Sequence, residues 1–165
     1  MKLVFVSVII SFFLDSILTS LIPIDSILLP LFSLISLIII YPYFHKEENS
    51  YLTFSFLLGL VYDIVYTDTI FLNAFIFLLI SFCIKLINEY ISNNVFNVSI
   101  MSLLVVTIYR IITYFVLVII NYLKYDFNDL LVSIYSSLIV NVFYGILLYL
   151  ITDFISKKYK IDKIE

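Results

Sequence analysis

Residues 98–122 read VSIMSLLVVTIYRIITYFVLVIINY, an apolar run whose one charge, Arg110, stands near its middle. A helix needs ~20 such residues to cross the hydrocarbon of a bilayer. A charge at that depth costs about 2.5–3.5 kcal/mol on insertion scales, so Arg110 has to face protein, water or a partner. Asp15 and Asp63 raise the same question inside two other apolar runs. The whole chain of 165 residues is 64% hydrophobic with a mean hydropathy of +1.18. A soluble domain of that length cannot bury so much apolar surface, and the solvent for most of it is lipid.

Working outward from residues 98–122, hydropathy divides the chain into about six runs able to span a membrane. They lie near Leu3–Leu21, Ile27–Phe44, Tyr51–Tyr66, Ile70–Ile87, Val98–Tyr122 and Leu130–Ile155. The expectation is an all-α polytopic membrane protein, a compact bundle of about six transmembrane helices forming one integral domain over residues 1–165. Pro23 and Pro42 fall near helix ends, and Pro30 falls in the first turn of the second run, where proline is tolerated. Lys2, Lys46, Lys85 and the tail lysines Lys157, Lys158, Lys160 and Lys163 flank alternate ends of the runs. The positive-inside rule then puts both termini in the cytoplasm of a multi-pass protein. The first run has the look of a signal peptide, but it carries Asp15 and no small-residue cleavage site follows, so it reads as retained. The basic tail sets topology and could also touch anionic lipid.

Several function classes drop out. A net charge of −3 points to no nucleic-acid partner. Cys83 is the one cysteine and reads as a small apolar residue in a helix. His45 is the one histidine and reads as solvated in a polar loop. No metal cluster, cofactor motif, phosphate loop or nucleophile–base pair is visible, so neither metal nor cofactor is expected. Asp15 and Asp63 could in principle pair as in an aspartyl protease. The Asn-x-x-Asp-Arg and Asn-x-Ala-Asp motifs of lipoprotein signal peptidases are missing, however, and the reading is not an enzyme. The abundant Ile, Phe, Tyr, Asn and Lys all use AT-rich codons, which leaves the tyrosines without functional weight.

Counting depth at about 1.5 Å per residue places Asp15, Asp63, Asn73, Arg110 and Asn141 in one layer, an intramembrane polar network from five helices. The expected pairing joins Arg110 to Asp63, Asp15 or both, since a guanidinium fork can serve two carboxylates. Small and polar residues recur every four positions, as Ser7, Ser11 and Asp15; Ser55, Gly59 and Asp63; and Ser133, Ser137, Asn141 and Gly145. Asn73, Ser81 and Lys85 share a face with Phe77. Residues four apart lie on one side of a helix, and small ones let helices pack closely in lipid. These stripes are expected to face neighbouring helices.

The stretch Phe54-Ser55-Phe56-Leu57-Leu58-Gly59-Leu60-Val61-Tyr62-Asp63-Ile64-Val65 resembles the core motif of the MreD family of rod shape-determining membrane proteins. In that family Gly-Leu, two apolar residues and Asp are followed by a short turn and a helix opening near Asn-Ala, here Asn73-Ala74. Tyr109-Arg110 and Ser137-Leu138-Ile139-Val140-Asn141 are similar to later family segments. Two positions depart: Phe71 stands where glycine is frequent, and Ser136 where proline is common.

The resemblance implies a non-catalytic scaffold of the cell-wall elongation complex in the bacterial cytoplasmic membrane, helping maintain rod shape and direct peptidoglycan synthesis. It implies docking of the single-span protein MreC through a transmembrane helix. MreB, RodA and RodA's partner transpeptidase are implied as indirect partners. The Ser33-x-x-Ser36 side of the second run is a candidate docking face, against the alternative of internal packing. It also implies a fold similar to the substrate-binding subunits of energy-coupling-factor vitamin transporters, which supplies the rival function. Ser7-x-x-x-Ser11 resembles the docking motif of those subunits. The absence of Trp and the short external loops argue against that rival.

Overall fold

In lipid a chain has to satisfy its own backbone polar groups, and each apolar run does so as a helix. A computed structural model of the chain describes residues 2–21, 30–44, 48–67, 71–88, 90 and 93–161. The helices are α1 (Lys2–Leu21), α2 (Phe32–Ile40), α3 (Glu48–Tyr66), α4 (Leu72–Asn88), α5 (Val95–Ile119) and α6 (Phe127–Tyr159), with a 3-10 turn at Tyr41–Tyr43 directly after α2. No strand occurs among the described residues. α1, α5 and α6 are long and apolar enough to cross a membrane. The protein is a membrane protein with an all-helical fold.

The second run departs most from its expected form. Its helix starts at Phe32, so Pro30 precedes the helix instead of lying in its first turn. Residues Phe32–Tyr43 rise only about 20 Å, well short of the ~30 Å of hydrocarbon. Every residue of α2 is buried. That is the condition for ending a helix at membrane depth, because irregular backbone is tolerated there only where protein surrounds it. The Ser33-x-x-Ser36 face is therefore internal packing and offers nothing to a partner. Pro23, His45, Lys46 and Lys163, and the ends of the second and fourth runs near Ile27 and Ile70, lie outside the described residues.

α3 and α4 form one antiparallel hairpin, and α5 and α6 another. α2 stands between α1, α4, α5 and α6 as the axis of the bundle. It runs alongside α6 in the same direction. The Leu31 N–H meets Asn141, Ile35 lies against Gly145, and Ile39 clusters with Leu148 and Tyr149. The α6 stripe faces inward, with Ser137, Asn141 and Gly145 buried and Ser133 half-buried. Ser7, Ser11, Ser55, Asn73 and Ser81 are buried too. On the opposite faces, large apolar residues such as Ile64, Ile139 and Phe154 are exposed, the surface that lipid covers.

Both glycines sit at close helix contacts. A Cβ on Gly59 would stand 2.6 Å from the Asn73 carbonyl oxygen and 2.6 Å from the Ala74 Cα, so only glycine lets α3 approach the start of α4. A Cβ on Gly145 would stand 2.7 Å from the Ser102 hydroxyl and 3.2 Å from Ile35. The α5–α6 turn is closed by Tyr114, whose hydroxyl donates to the Asp126 carbonyl at 2.7 Å and accepts from the Asp126 N–H at 2.6 Å. α6 continues unbroken through Ser136.

Candidate functional site: two capped helix starts and an interior arginine

A helix start leaves N–H groups without intrahelical acceptors, and water cannot reach them inside a bundle. At α2 the missing acceptors come from other helices. Asp15, midway along α1, accepts from the Phe32 N–H at 2.7 Å, the Ser33 N–H at 2.8 Å and the Ser33 hydroxyl at 2.6 Å. The Asn141 side-chain oxygen on α6 accepts from the Leu31 N–H at 2.7 Å. Asp15 is 1% exposed and Asn141 0%, so these bonds are shielded from both lipid and water.

The start of α4 repeats the device. Asp63, near the end of α3, accepts from the Asn73 N–H at 3.1 Å, the Ala74 N–H at 3.0 Å and the Asn73 side-chain amide at 2.9 Å. The Thr67 hydroxyl adds a bond at 3.1 Å. The Asn73 oxygen in turn accepts from the Tyr109 hydroxyl of α5 at 2.7 Å, tying the hairpin to the rest of the bundle. A negative charge at a helix start is also favoured by the helix dipole. The turn before α4 holds Phe71 at φ 67°, the left-handed region that suits glycine.

Arg110 behaves differently from its expectation. It forms no ion pair with Asp15 or Asp63. Its Nε donates to the Ser137 hydroxyl at 2.7 Å, and its guanidinium lies 5.8 Å from the Tyr109 ring centroid. Both carboxylates are directed at helix starts, and their lone pairs are taken by N–H and O–H donors. The residues expected in one network thus sort into three arrangements: Asp15 and Asn141 at α2, Asp63 and Asn73 at α4, and Arg110 with Ser137.

Ser33, Tyr109, Thr67 and the Leu31 backbone are partners that sequence reasoning passed over. The signal for α4 was present, since an Asp shortly before an Asn-Ala helix opening is a capping pattern. No such signal exists for α2, whose acceptor lies 17 residues upstream on another helix. Among the described residues, no group of three or more metal-ligating acids, histidines or cysteines occurs. The arrangement is a set of neutralised helix starts suited to fixing helix positions.

The family described as rod shape-determining protein MreD matches residues 1–158 of the chain. Neither the curated proteins nor the solved structures hold a significant match.

Proposed function

Because the chain belongs to the rod shape-determining protein MreD family, we propose that it is a non-catalytic membrane scaffold of the bacterial cell-wall elongation complex. The family gives a role in rod shape determination. The finer reading is that the protein docks MreC through a transmembrane helix. Through MreC it acts with MreB, RodA and RodA's partner transpeptidase to direct peptidoglycan synthesis. The chain crosses the cytoplasmic membrane six times with both termini inside, the arrangement the lysine distribution favours.

The observation that carries this reading is the family match over nearly the full chain. The fold is consistent with it. The two buried acids, Asp15 and Asp63, are taken up in helix caps. The outward helix faces are apolar. A partner held in the membrane engages such faces by close packing, helped by any polar group that lipid cannot satisfy.

Depletion in a rod-shaped host is the direct test. Cells should round up, and tagged protein solubilised from the membrane should bring MreC with it. Cells that keep their shape and instead lose uptake of one nutrient would refute the scaffold reading in favour of a transport subunit.

A further inference from the structure

The α3–α4 hairpin meets the other helices unevenly along its two edges. Lipid gives helices no hydrophobic drive to associate, so close packing and hydrogen bonds decide where they hold. α4 packs on α2 and α5, and Ala74, Phe77, Ile80 and Ile84 along it are buried. α3 packs its backbone closely on α4 and on no other described helix to a comparable degree. Its outer edge reaches α1 through side chains. Phe5 meets Phe54 edge to face with ring centroids 5.7 Å apart, and Phe12 meets Tyr66 at 5.0 Å. Between these two pairs lies a recess of about 490 Å³, lined by apolar side chains that include Val8, Leu57, Leu58 and Val61. A finished interior contact leaves few voids larger than a water molecule.

Three tyrosine hydroxyls tie the hairpin to the other helices, and they differ in kind. Tyr109 donates to the Asn73 side chain at 2.7 Å, within the cap of α4, and pins that edge. Tyr66 donates to the Phe12 carbonyl at 2.6 Å, and Tyr51 to the Leu37 carbonyl at 3.1 Å. Both carbonyls lie in helices, where an N–H four residues on already serves them. At Leu37 that donor is the Tyr41 N–H. Breaking either tyrosine bond therefore frees a hydroxyl and strands no backbone group. The chain enters α3 and leaves α4 at one end of the hairpin, so noncovalent contacts alone hold the turn end to the other helices. Tyr66 stands at that end, on the α1 side.

We propose that the hairpin is a hinged gate that pivots on α4 and opens the α1–α3 seam to the membrane, with the Tyr66–Phe12 bond as its latch. A hinge moves a packed unit as a whole and leaves its internal contacts intact. Here those contacts are the Asp63 bonds to Asn73 and Ala74 and the close approach at Gly59. Closed, the two aromatic pairs shut the seam at both ends of the recess. Open, it admits membrane hydrocarbon to Val8 and Leu58.

The test uses the full chain in lipid nanodiscs with Cys83→Ala and paired spin labels on cysteines at exposed positions. Ile17→Cys with Ile64→Cys spans α1 and α3, Ile64→Cys with Leu79→Cys lies within the hairpin, and Ile17→Cys with Ile139→Cys lies outside it. Distance distributions from pulsed electron resonance are compared for the native tyrosines, Tyr66→Phe and the double variant Tyr51→Phe with Tyr66→Phe. Each Phe keeps the ring and its packing, and the pair outside the hairpin reports an intact bundle. The ratio of long to short α1–α3 distances should rise about fivefold for each hydroxyl removed. The other two pairs should keep their distributions. An α1–α3 distribution unchanged in the double variant overturns the gate. So does an equal broadening within the hairpin, which would mean that α3 leaves α4 and the hairpin does not move as a unit.

Discussion

The starts of α2 and α4 use the same chemistry in different settings. Each is met by an aspartate that accepts from two successive backbone N–H groups. At α4 the aspartate belongs to the preceding helix of a tight hairpin, and Gly59 one turn earlier lets the two backbones touch. Phe71, just before α4, is half exposed. At α2 one acceptor comes from α1 and another from α6, and every residue of the helix is buried. The α4 start is thus a local feature that forms once two neighbouring helices meet. The α2 start exists only when helices from both ends of the chain have assembled around it. The same hydrogen bonds therefore carry different consequences for the fold.

Removing the two aspartates should separate these settings most sharply. Asp15→Ala strands the Phe32 and Ser33 N–H donors in a dry interior, and a loss of about 1–3 kcal/mol for each stranded donor is expected. Asp63→Ala should cost less, because the α4 start follows the half-exposed Phe71 and can fray there without unseating another helix. Thermal unfolding in detergent, with hydrogen exchange at the α2 and α4 amides, measures both. Equal losses would erase the distinction between a local and an assembled helix start.

Gly59→Ala should come next, at about 1–3 kcal/mol or more, since the new methyl meets backbone atoms that cannot move aside. Exchange should rise at the start of α4 while the start of α2 stays protected. If both starts open together, the hairpin is not an independent unit. Gly145→Ala should be milder because its nearest obstacle is the Ser102 hydroxyl, a side-chain atom. Adding Ser102→Ala should restore most of the lost stability, as read by the unfolding temperature of the double variant. Phe71→Gly should have the smallest effect and the opposite sign. Relieving a left-handed non-glycine residue is worth about 1 kcal/mol, partly offset by the freedom glycine adds to the unfolded chain. An unfolding temperature unchanged or lowered would mean that the Phe71 side chain contributes more by packing than its backbone costs.

The sequence by itself determined the solvent, the helical class and the run of apolar segments, because these follow from hydropathy and length alone. It also determined the inward faces of α1, α3 and α6, because a four-residue spacing maps directly onto one side of a helix. The cap of Asp63 on Asn73 had a sequence signal, an Asp shortly before an Asn-Ala helix opening within one hairpin, although the depth count directed Asp63 at Arg110. Only the tertiary structure decided that α2 begins inside the bundle, that Asp15 and Asn141 supply its acceptors, and that Arg110 binds Ser137 in place of a carboxylate. Charge and depth show which groups need partners, but a helix start also presents unsatisfied donors, and nothing in an apolar run shows where such a start lies. Where several groups compete for the same oxygens, the three-dimensional packing of distant helices chooses between them.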